Sequence, residues 1–490
     1  MIANFEEPLQ PEFYEQLEQF GASLRELASA EQVTVEPTSK TAMLRVTDPT
    51  NSLSHLPIRE IRARLEARFG VRLLGLAAES IVDRLPDVVD ELRRASAALL
   101  HWPRTLPDGE WLKRPELQQL LERVCSPGTS VTSVLGPAGS GKSALLAELG
   151  EQIIRADHPL LAIKADQLDP EISTDAELRD WLGLSELPRV LLTRFARFRP
   201  IVLLIDQLDA LAEYLDLRTG RLSVLLNLVR HLGGTDNVHI VLSSRTFEYD
   251  HDMRLRSVSA ERLDLQLPEW SDVSRVLDRC GVNAAGWPDD AQDVLRSPHA
   301  LAIYLRLDAS QRSEPLGSYQ AMLERLWEER VRRGPEGPRR SKLAAALAVR
   351  MAEEESLSLS RARYDDQPED LDALIGAGVL KLDPSGTSVG FAHQTIFSFV
   401  LARTYTQLPG SLSKSVLDRQ SSLFVRPKLW SSLTYLRASE PTSYLREMQE
   451  IWHTTTLRRH LRLLLIDFLG QQVDPSDTEA LLMEEALRAI

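Results

Sequence analysis

Residues 136–143 read "GPAGSGKS", the G-x-x-x-x-G-K-[ST] spacing of a loop whose backbone N–H groups curl around phosphates. The glycines Gly136, Gly139 and Gly141 permit the curl. Pro137, Ala138, Ser140 and Ala144 complete the run expected to touch a nucleotide. Lys142 can neutralise β- and γ-phosphate charge, and the Ser143 hydroxyl can ligate Mg²⁺. The loop follows the β-rich "VTSVL" and opens the helical "SALLAELGEQII", which is the strand–loop–helix context the spacing requires. ATP/ADP with Mg²⁺ is the cofactor set that follows.

Such a loop needs an acid at the end of a buried strand to hold the metal through water. "PIVLLIDQLDAL" places Asp206 after five apolar residues, with Asp209 three positions on. Asp206 is the metal-side acid, and the catalytic set is Lys142, Asp206 and Asp209. Two readings of Asp209 stand side by side: it polarises an attacking water, or it caps a helix after the strand. The strand "VHIVLSSR" ends in Ser244 and Arg245. Arg245 either reaches a γ-phosphate or pairs with a carboxylate such as Glu248. Farther along, "FAHQTIFSF" sets His393 in an apolar run 251 residues after Lys142. Taken alone, a histidine there is a core residue.

The elements that position these residues follow from periodicity. "VTSVLG", "PLLAIKA", "PIVLLID", "VHIVLSSR" and "RLDLQL" alternate with helical stretches from Val131 to about Trp270, which predicts a mainly parallel sheet covered by helices on both faces. "QVTVEPTSKTAMLRVTD" reads as a hairpin near the N-terminus, followed by two amphipathic helices, "IREIRARLEARFG" and "SIVDRLPDVVDELRRASAALL". "HWPRTLPDGEWLKRPEL" is a proline-rich linker running into a helix. Residues 270–315 are wholly helical in pattern. Residues 316–408 give three helices and the two-stranded "VLKLDPSGTSVGFAH", the outline of a winged helix. The predicted order is a mixed α/β segment (1–100), a linker and leading helix (101–125) and an α/β P-loop domain (126–270). A helical lid (271–315), a winged helix (316–408) and C-terminal helical repeats (409–490) follow.

At 490 residues the chain exceeds one core, and 43% hydrophobic with 26% charged residues describes a globular protein. The net charge of −14 argues against a surface that wraps nucleic acid. Cys125 and Cys280 are the only cysteines and form neither a disulfide framework nor a zinc site. No segment is long enough to span a membrane, and the acidic "MIANFEEPLQ" is unlike a signal peptide. A cytoplasmic protein without a membrane partner is the expectation. "RRGPEGPRRSK" (Arg332, Arg333, Arg339, Arg340, Lys342) is a basic loop read as a solvated run. Trp102, Trp111, Trp430 and Trp452 are assigned to packing.

The ordered set resembles the signal-transducing ATPases with numerous domains (STAND), particularly the NACHT group and its NB-ARC relatives, over roughly Leu112 to Tyr405. The resemblance implies that the main chain near Arg114 in "LKRPEL" lies against adenine, that Arg245 of "LSSR" faces the γ-phosphate, and that Pro298 of "RSPHAL" packs on adenine. It implies that His393 reaches back to the β-phosphate of bound ADP. The function implied is an ADP-clamped switch that self-associates on a trigger and ATP exchange, in innate immune or antiphage defence. The trigger, a protein or a nucleic acid, would bind the C-terminal helices, and an effector partner would sit at the N-terminal segment. Where NACHT proteins often carry a further acid, this chain has Ala210, so slow hydrolysis is expected. The alternative is a nucleic-acid-directed P-loop ATPase or transcriptional regulator whose winged helix binds DNA.

Overall fold

The computed structural model describes residues 1–490 apart from 80, 81, 83, 127, 170, 213–219, 308–311, 313–317, 355, 384, 385, 407–409, 423, 424, 473, 489 and 490. Two of these, Pro384 and Ser385, belong to the turn expected between the two strands of "VLKLDPSGTSVGFAH", so that turn lies outside the described residues. The chain divides into two compact units, the first holding Met1–Ala212 and Leu217–Pro268 and the second mainly Glu269–Ile490.

The first unit contains two sheets. Strands β1 (Ile2–Phe5), β2 (Thr34–Pro37), β3 (Met43–Thr47) and β4 (Leu73–Ala77) form an antiparallel sheet in the order β2-β3-β1-β4. The helix Leu17–Ala28 lies between β1 and β2 in sequence, and Ile58–Phe69 between β3 and β4. This is the split βαβ arrangement of ferredoxin-like domains. Phe5, Phe13, Phe20, Leu24, Ile61 and Leu65 fill its core. The hairpin and the helix over 58–69 are as expected, whereas the strands "IANF" and "LLGLA" escape a periodicity reading. They are short, and each carries a residue that breaks the pattern, the buried Asn4 and Gly75.

The second sheet is parallel: β5 (Ser130–Leu135), β6 (Leu160–Lys164), β7 (Ile201–Asp206), β8 (Val238–Ser244) and β9 (Glu261–Asp264), in the order β6-β7-β8-β5-β9. Every residue of β6, β7 and β8 is buried, as unbroken apolar strands covered on both faces require. All five strands coincide with the predicted runs. Chain direction reverses around β5, which puts its carboxyl end at the switch point where open α/β sheets bind ligands.

The antiparallel domain is anchored to this core. Gly75 of β4 approaches the Arg197 carbonyl so closely that a Cβ there would lie 2.0 Å from its oxygen, so only glycine fits. Buried Arg62 donates to Asn237 Oδ1 (2.6 Å) and the Leu74 carbonyl (3.0 Å), and the Asn237 amide donates to the carbonyls of Leu74 and Ala196 (2.7 and 2.9 Å). The expected domain boundary at residue 100 also shifts. Helices Leu85–Ala95 and Ala97–Leu100 pack on β6, Leu99 and Leu100 join the core under the P-loop helix, and Ser96 Oγ accepts from the Ala162 amide at 2.8 Å.

In the second unit, the helices Trp270–Arg279, Asp289–Leu295, Pro298–Tyr304, Tyr319–Trp327, Gly337–Glu354 and Pro368–Gly376 precede and flank a small antiparallel sheet. Its strands β10 (Leu359–Ser360), β11 (Leu380–Leu382) and β12 (Ser388–Phe391) run in the order β10-β12-β11. The two-residue β10 is beyond any periodicity reading. The helix Gln394–Thr404 follows, and five helices occupy the described part of 411–488. Arg403 forms an ion pair with Glu324, whose carboxylate also accepts from Tyr435 Oη. The helix after β12 is therefore tied to the C-terminal helices across the boundary expected near residue 408. Among the described residues, no helix is long and apolar enough to cross a membrane.

Candidate functional site

The predicted phosphate loop joins β5 to the helix Lys142–Arg155. Gly139 (φ +79°) and Gly141 (φ +94°) hold left-handed backbone, which residues with a Cβ adopt at a cost. The loop therefore turns back on itself and ends at a helix N-terminus, a ready anion site. Lys142 is buried, and its Nζ donates to the carbonyls of Gly136 (2.8 Å) and Pro137 (2.9 Å). Burial pushes its pKa down to about 8, with Asp209 acting in the opposite direction. Ser143 is half-buried in the first turn of the helix. Ser140 Oγ is buried without a hydrogen-bond partner.

At the end of β7, Asp206 is fully buried. One oxygen accepts from Ser243 Oγ at 2.6 Å and the other from Lys164 Nζ at 3.4 Å. Ser243 Oγ also accepts from the Gln207 amide (2.9 Å), fixing the left-handed turn at Gln207 (φ +57°) that follows the strand. Asp209 opens the short helix Asp209–Ala212, yet its side chain does not cap it. Oδ2 takes Arg245 Nε at 3.2 Å, and buried Oδ1 has no hydrogen-bond partner. Burial raises the Asp209 pKa, with Arg245 pulling the other way. Arg245 also lies 3.9 Å from buried Glu248. Ser244 is buried beside it, its Oγ donating to the Arg245 carbonyl. Of the two sequence readings of Arg245, the structure displays the carboxylate pairing, with Asp209 as the nearer partner.

Three participants are invisible to motif reading. Lys164, Ser243 and Gln207 surround Asp206, but none belongs to a spacing pattern. The usable signal was a lysine ending the otherwise apolar run "LLAIK": a charge at the carboxyl end of a buried strand requires a partner. Gln207 supplies an amide, not a carboxylate, directly after Asp206. Asp209 and Glu248 are the buried acids beside Arg245 that keep an oxygen without a hydrogen-bond partner.

Arg114 precedes the helix Pro115–Val124 and is buried. Its guanidinium donates to the Gln266 carbonyl beyond β9 and pairs with Glu116 at 3.7 Å, while Glu116 accepts from the Gln266 amide at 3.0 Å. Burial lowers the Arg114 pKa. This closed circuit fixes the start of that helix against the end of the sheet.

The remaining two predicted residues lie in the second unit. Pro298 is the first residue of the helix Pro298–Tyr304. His393 caps the helix Gln394–Thr404, its Nδ1 accepting from the Thr395 amide at 3.2 Å. The two motifs meet: His299, next to Pro298, stacks on His393 with centroids 3.6 Å apart and 24° between planes. His299 Nε2 shares a hydrogen bond with the Thr395 hydroxyl, and burial pushes its pKa down to about 4.

The residues fit the implied nucleotide and metal. The glycine-shaped cradle and the orphaned Ser140 hydroxyl suit phosphate oxygens. Ser143 and Asp206 would hold Mg²⁺, Asp206 through water because both its oxygens are already engaged. When bound, the ion would neutralise charge on the terminal phosphates. Among the described residues, no group of three or more His, Cys, Asp or Glu is arranged to hold a metal ion by itself. Cys125 and Cys280 are not joined by a disulfide.

Comparison with known proteins agrees with the core. Residues 113–242 match a family model described as an AAA ATPase domain. No curated protein matches the chain. Similar solved structures include a Walker-type ATPase of Pyrococcus abyssi (15% identity, 62% of this chain and 99% of that one, TM-score 0.33). They also include ORC2 of Aeropyrum pernix with ADPNP and ADP (12%, 62% and 98%, 0.34) and AMPPCP-bound DnaA of Aquifex aeolicus (13%, 76% and 92%, 0.33). TM-scores this low carry no argument about function. The phosphate loop, the acid ending the neighbouring buried strand and the family match agree on one statement: the chain carries a P-loop ATPase core.

Proposed function

We propose that the chain is an ATP/ADP-controlled switch of the STAND type and that hydrolysis is slow. The observation that carries this reading is the Asp209–Arg245 pair beside Lys142. Arg245 is a cation at the carboxyl end of the strand next to β5, held at 3.2 Å by a carboxylate. A terminal phosphate entering the cradle competes for that cation. The pair therefore has two arrangements whose balance a nucleotide sets, and differential affinity for two arrangements is what a switch needs. Releasing Asp209 from Arg245 also frees a candidate base, so hydrolysis follows sensing, and the amide of Gln207 supplies no base directly after Asp206.

On this reading, the three-stranded β10-β12-β11 sheet with its neighbouring helices is a winged helix. His393 contacts the β-phosphate of ADP, and Pro298 packs on adenine near the main chain of Arg114. Their support is the stacking of His299 on His393, which brings both predicted motifs together. A trigger acting on the helices of 411–488 would move the His393 helix through the Glu324–Arg403–Tyr435 cluster. Self-association and an effector partner at the antiparallel domain complete the proposal, with defence signalling as its setting.

The test is the nucleotide that copurifies with the protein, released by denaturation and quantified by chromatography. About one ADP per chain is the expected result. A site that exchanges freely and turns over continuously would contradict the switch. If DNA then bound with a steep salt dependence, the nucleic-acid-directed ATPase would replace it. Against that alternative, the basic run expected as a loop is largely helical, Arg332 ending the π-helix Glu328–Arg332 and Arg339, Arg340 and Lys342 lying in the helix Gly337–Glu354, and Arg332 and Arg339 already pair with Glu328 and Glu336 (2.8 and 2.9 Å).

A further inference from the structure

The P-loop reading accounts for Asp206 but not for the buried ammonium beside it. Lys164 and Asp206 are register partners at the carboxyl ends of adjacent parallel strands, so both side chains leave the sheet at one level and meet. Lys164 has no side-chain exposure. Its Nζ lies 2.9 Å from Asp166 Oδ1, 3.0 Å from Gln207 Oε1 and 3.4 Å from Asp206 Oδ2. A further side of the ammonium is closed by the Trp102 ring, 4.2 Å from its centroid. A buried lysine is tolerated only when its donors are satisfied and its charge is matched, and here three acceptors and a π face do so.

We propose that Lys164 is a positioning residue for the metal-side acid, and that Trp102 makes this positioning depend on the connector between the antiparallel domain and the ATPase core. The proposal rests on the P-loop reading of Asp206. Ser243 pins one carboxylate oxygen and Lys164 the other, so the carboxylate is fixed in rotation by two strands that flank its own. Ser243 belongs to the sheet and moves with it. Trp102 is held less directly: half-buried against the same core, it follows the helix Ala97–Leu100 and begins the connector that leads to the helix Pro115–Val124. A displacement of the connector withdraws the ring, and the ammonium can then shift toward Asp166 and away from Asp206. The state of the connector is thereby transmitted to the residue that orients the metal's water ligands.

The experiment compares retention of fluorescent ADP by the full chain in EDTA and across a Mg²⁺ titration, for wild type, Trp102→Leu and Trp102→Phe. A desolvated cation–π contact is worth about tenfold in an equilibrium. Trp102→Leu is expected to raise the Mg²⁺ midpoint by about that factor, leaving the EDTA affinity within about twofold. Trp102→Phe, which keeps a π face, is expected to restore most of the shift. Lys164→Met should raise the midpoint further. Should that variant fail to fold, the two tryptophan variants decide alone. An unchanged midpoint in Trp102→Leu, or equal shifts for leucine and phenylalanine, overturns the proposal and returns the tryptophan to packing. A wild-type chain that retains no ADP under either condition overturns the nucleotide switch itself and takes this inference with it.

Discussion

The carboxyl edge of the parallel sheet is nearly dry and the histidine pair of the second unit only half-buried, and the two are built from opposite materials. The first concentrates full charges: Lys142, Lys164, Asp206 and Asp209 are all buried, and each cation stands against a carboxylate or carbonyl. The second contains two imidazole rings and a hydroxyl, His299, His393 and Thr395, with the imidazole of His299 held neutral by burial. A site of matched buried charges is costly to unbalance and binds an anion through long-range attraction. A stack of imidazole rings is held by area and a few hydrogen bonds, and it yields to protonation or truncation at smaller cost. In the proposed switch, the ionic site would decide whether nucleotide binds, and the histidine pair would modulate how long it stays.

The largest expected effect breaks the ionic half. Lys142→Ala removes a buried charge partner, a loss of about 4 kcal/mol or roughly a thousandfold in ADP affinity, measured by calorimetry. Undiminished binding would detach the loop from the nucleotide. Acid should break the histidine half. Burial lowers the His299 pKa to about 4 from the ordinary 6.5, so between those values the unfolded chain takes up a proton that the folded one refuses. Its contribution is intact above pH 6.5 and falls by up to about 3 kcal/mol as pH approaches 4. His299→Gln should flatten that part of the stability–pH profile followed by denaturant unfolding, and an unaltered slope would show that His299 is not a buried neutral base.

A smaller effect sharpens the comparison. His393→Ala removes one hydrogen bond to phosphate in the proposed switch, about 1.4 kcal/mol, and should speed ADP release about tenfold in stopped-flow exchange. An unchanged rate would return His393 to a helix-capping role. The smallest effect is a control. Arg332→Ala deletes an ion pair whose partners are both about half exposed (52% and 54%). It should change stability by less than about 0.5 kcal/mol. A larger change, or a loss of salt-dependent DNA binding, would give the basic run a role beyond solvation.

Much of the ionic site was legible because its chemistry is local. The glycine spacing, the apolar run ending at Asp206 and the arginine ending β8 are each contained within about ten residues, and strands buried on both faces announce themselves as unbroken apolar runs. Lys164 was not legible. Its meaning comes from register with a residue 42 positions later, and no local pattern encodes which strands are neighbours. The pairing of His299 with His393 is likewise a contact across 94 residues, which neither spacing nor the family resemblance indicated. The boundary at residue 100 failed for a related reason: the helices of 85–100 have an ordinary amphipathic pattern, and amphipathicity does not say which core the apolar stripe will join.

The sequence by itself determined the phosphate loop, the five strands of its sheet and the acids that end them, because backbone freedom at glycine and burial of apolar runs act over a few residues. Tertiary structure alone decided that the ferredoxin-like domain is anchored through Gly75 and Arg62. It also decided that Asp209 holds Arg245 rather than capping its helix, and that a buried lysine braces Asp206 under a tryptophan. Those outcomes depend on which charged and polar groups share a dry interior, and water is excluded only when distant segments close over them.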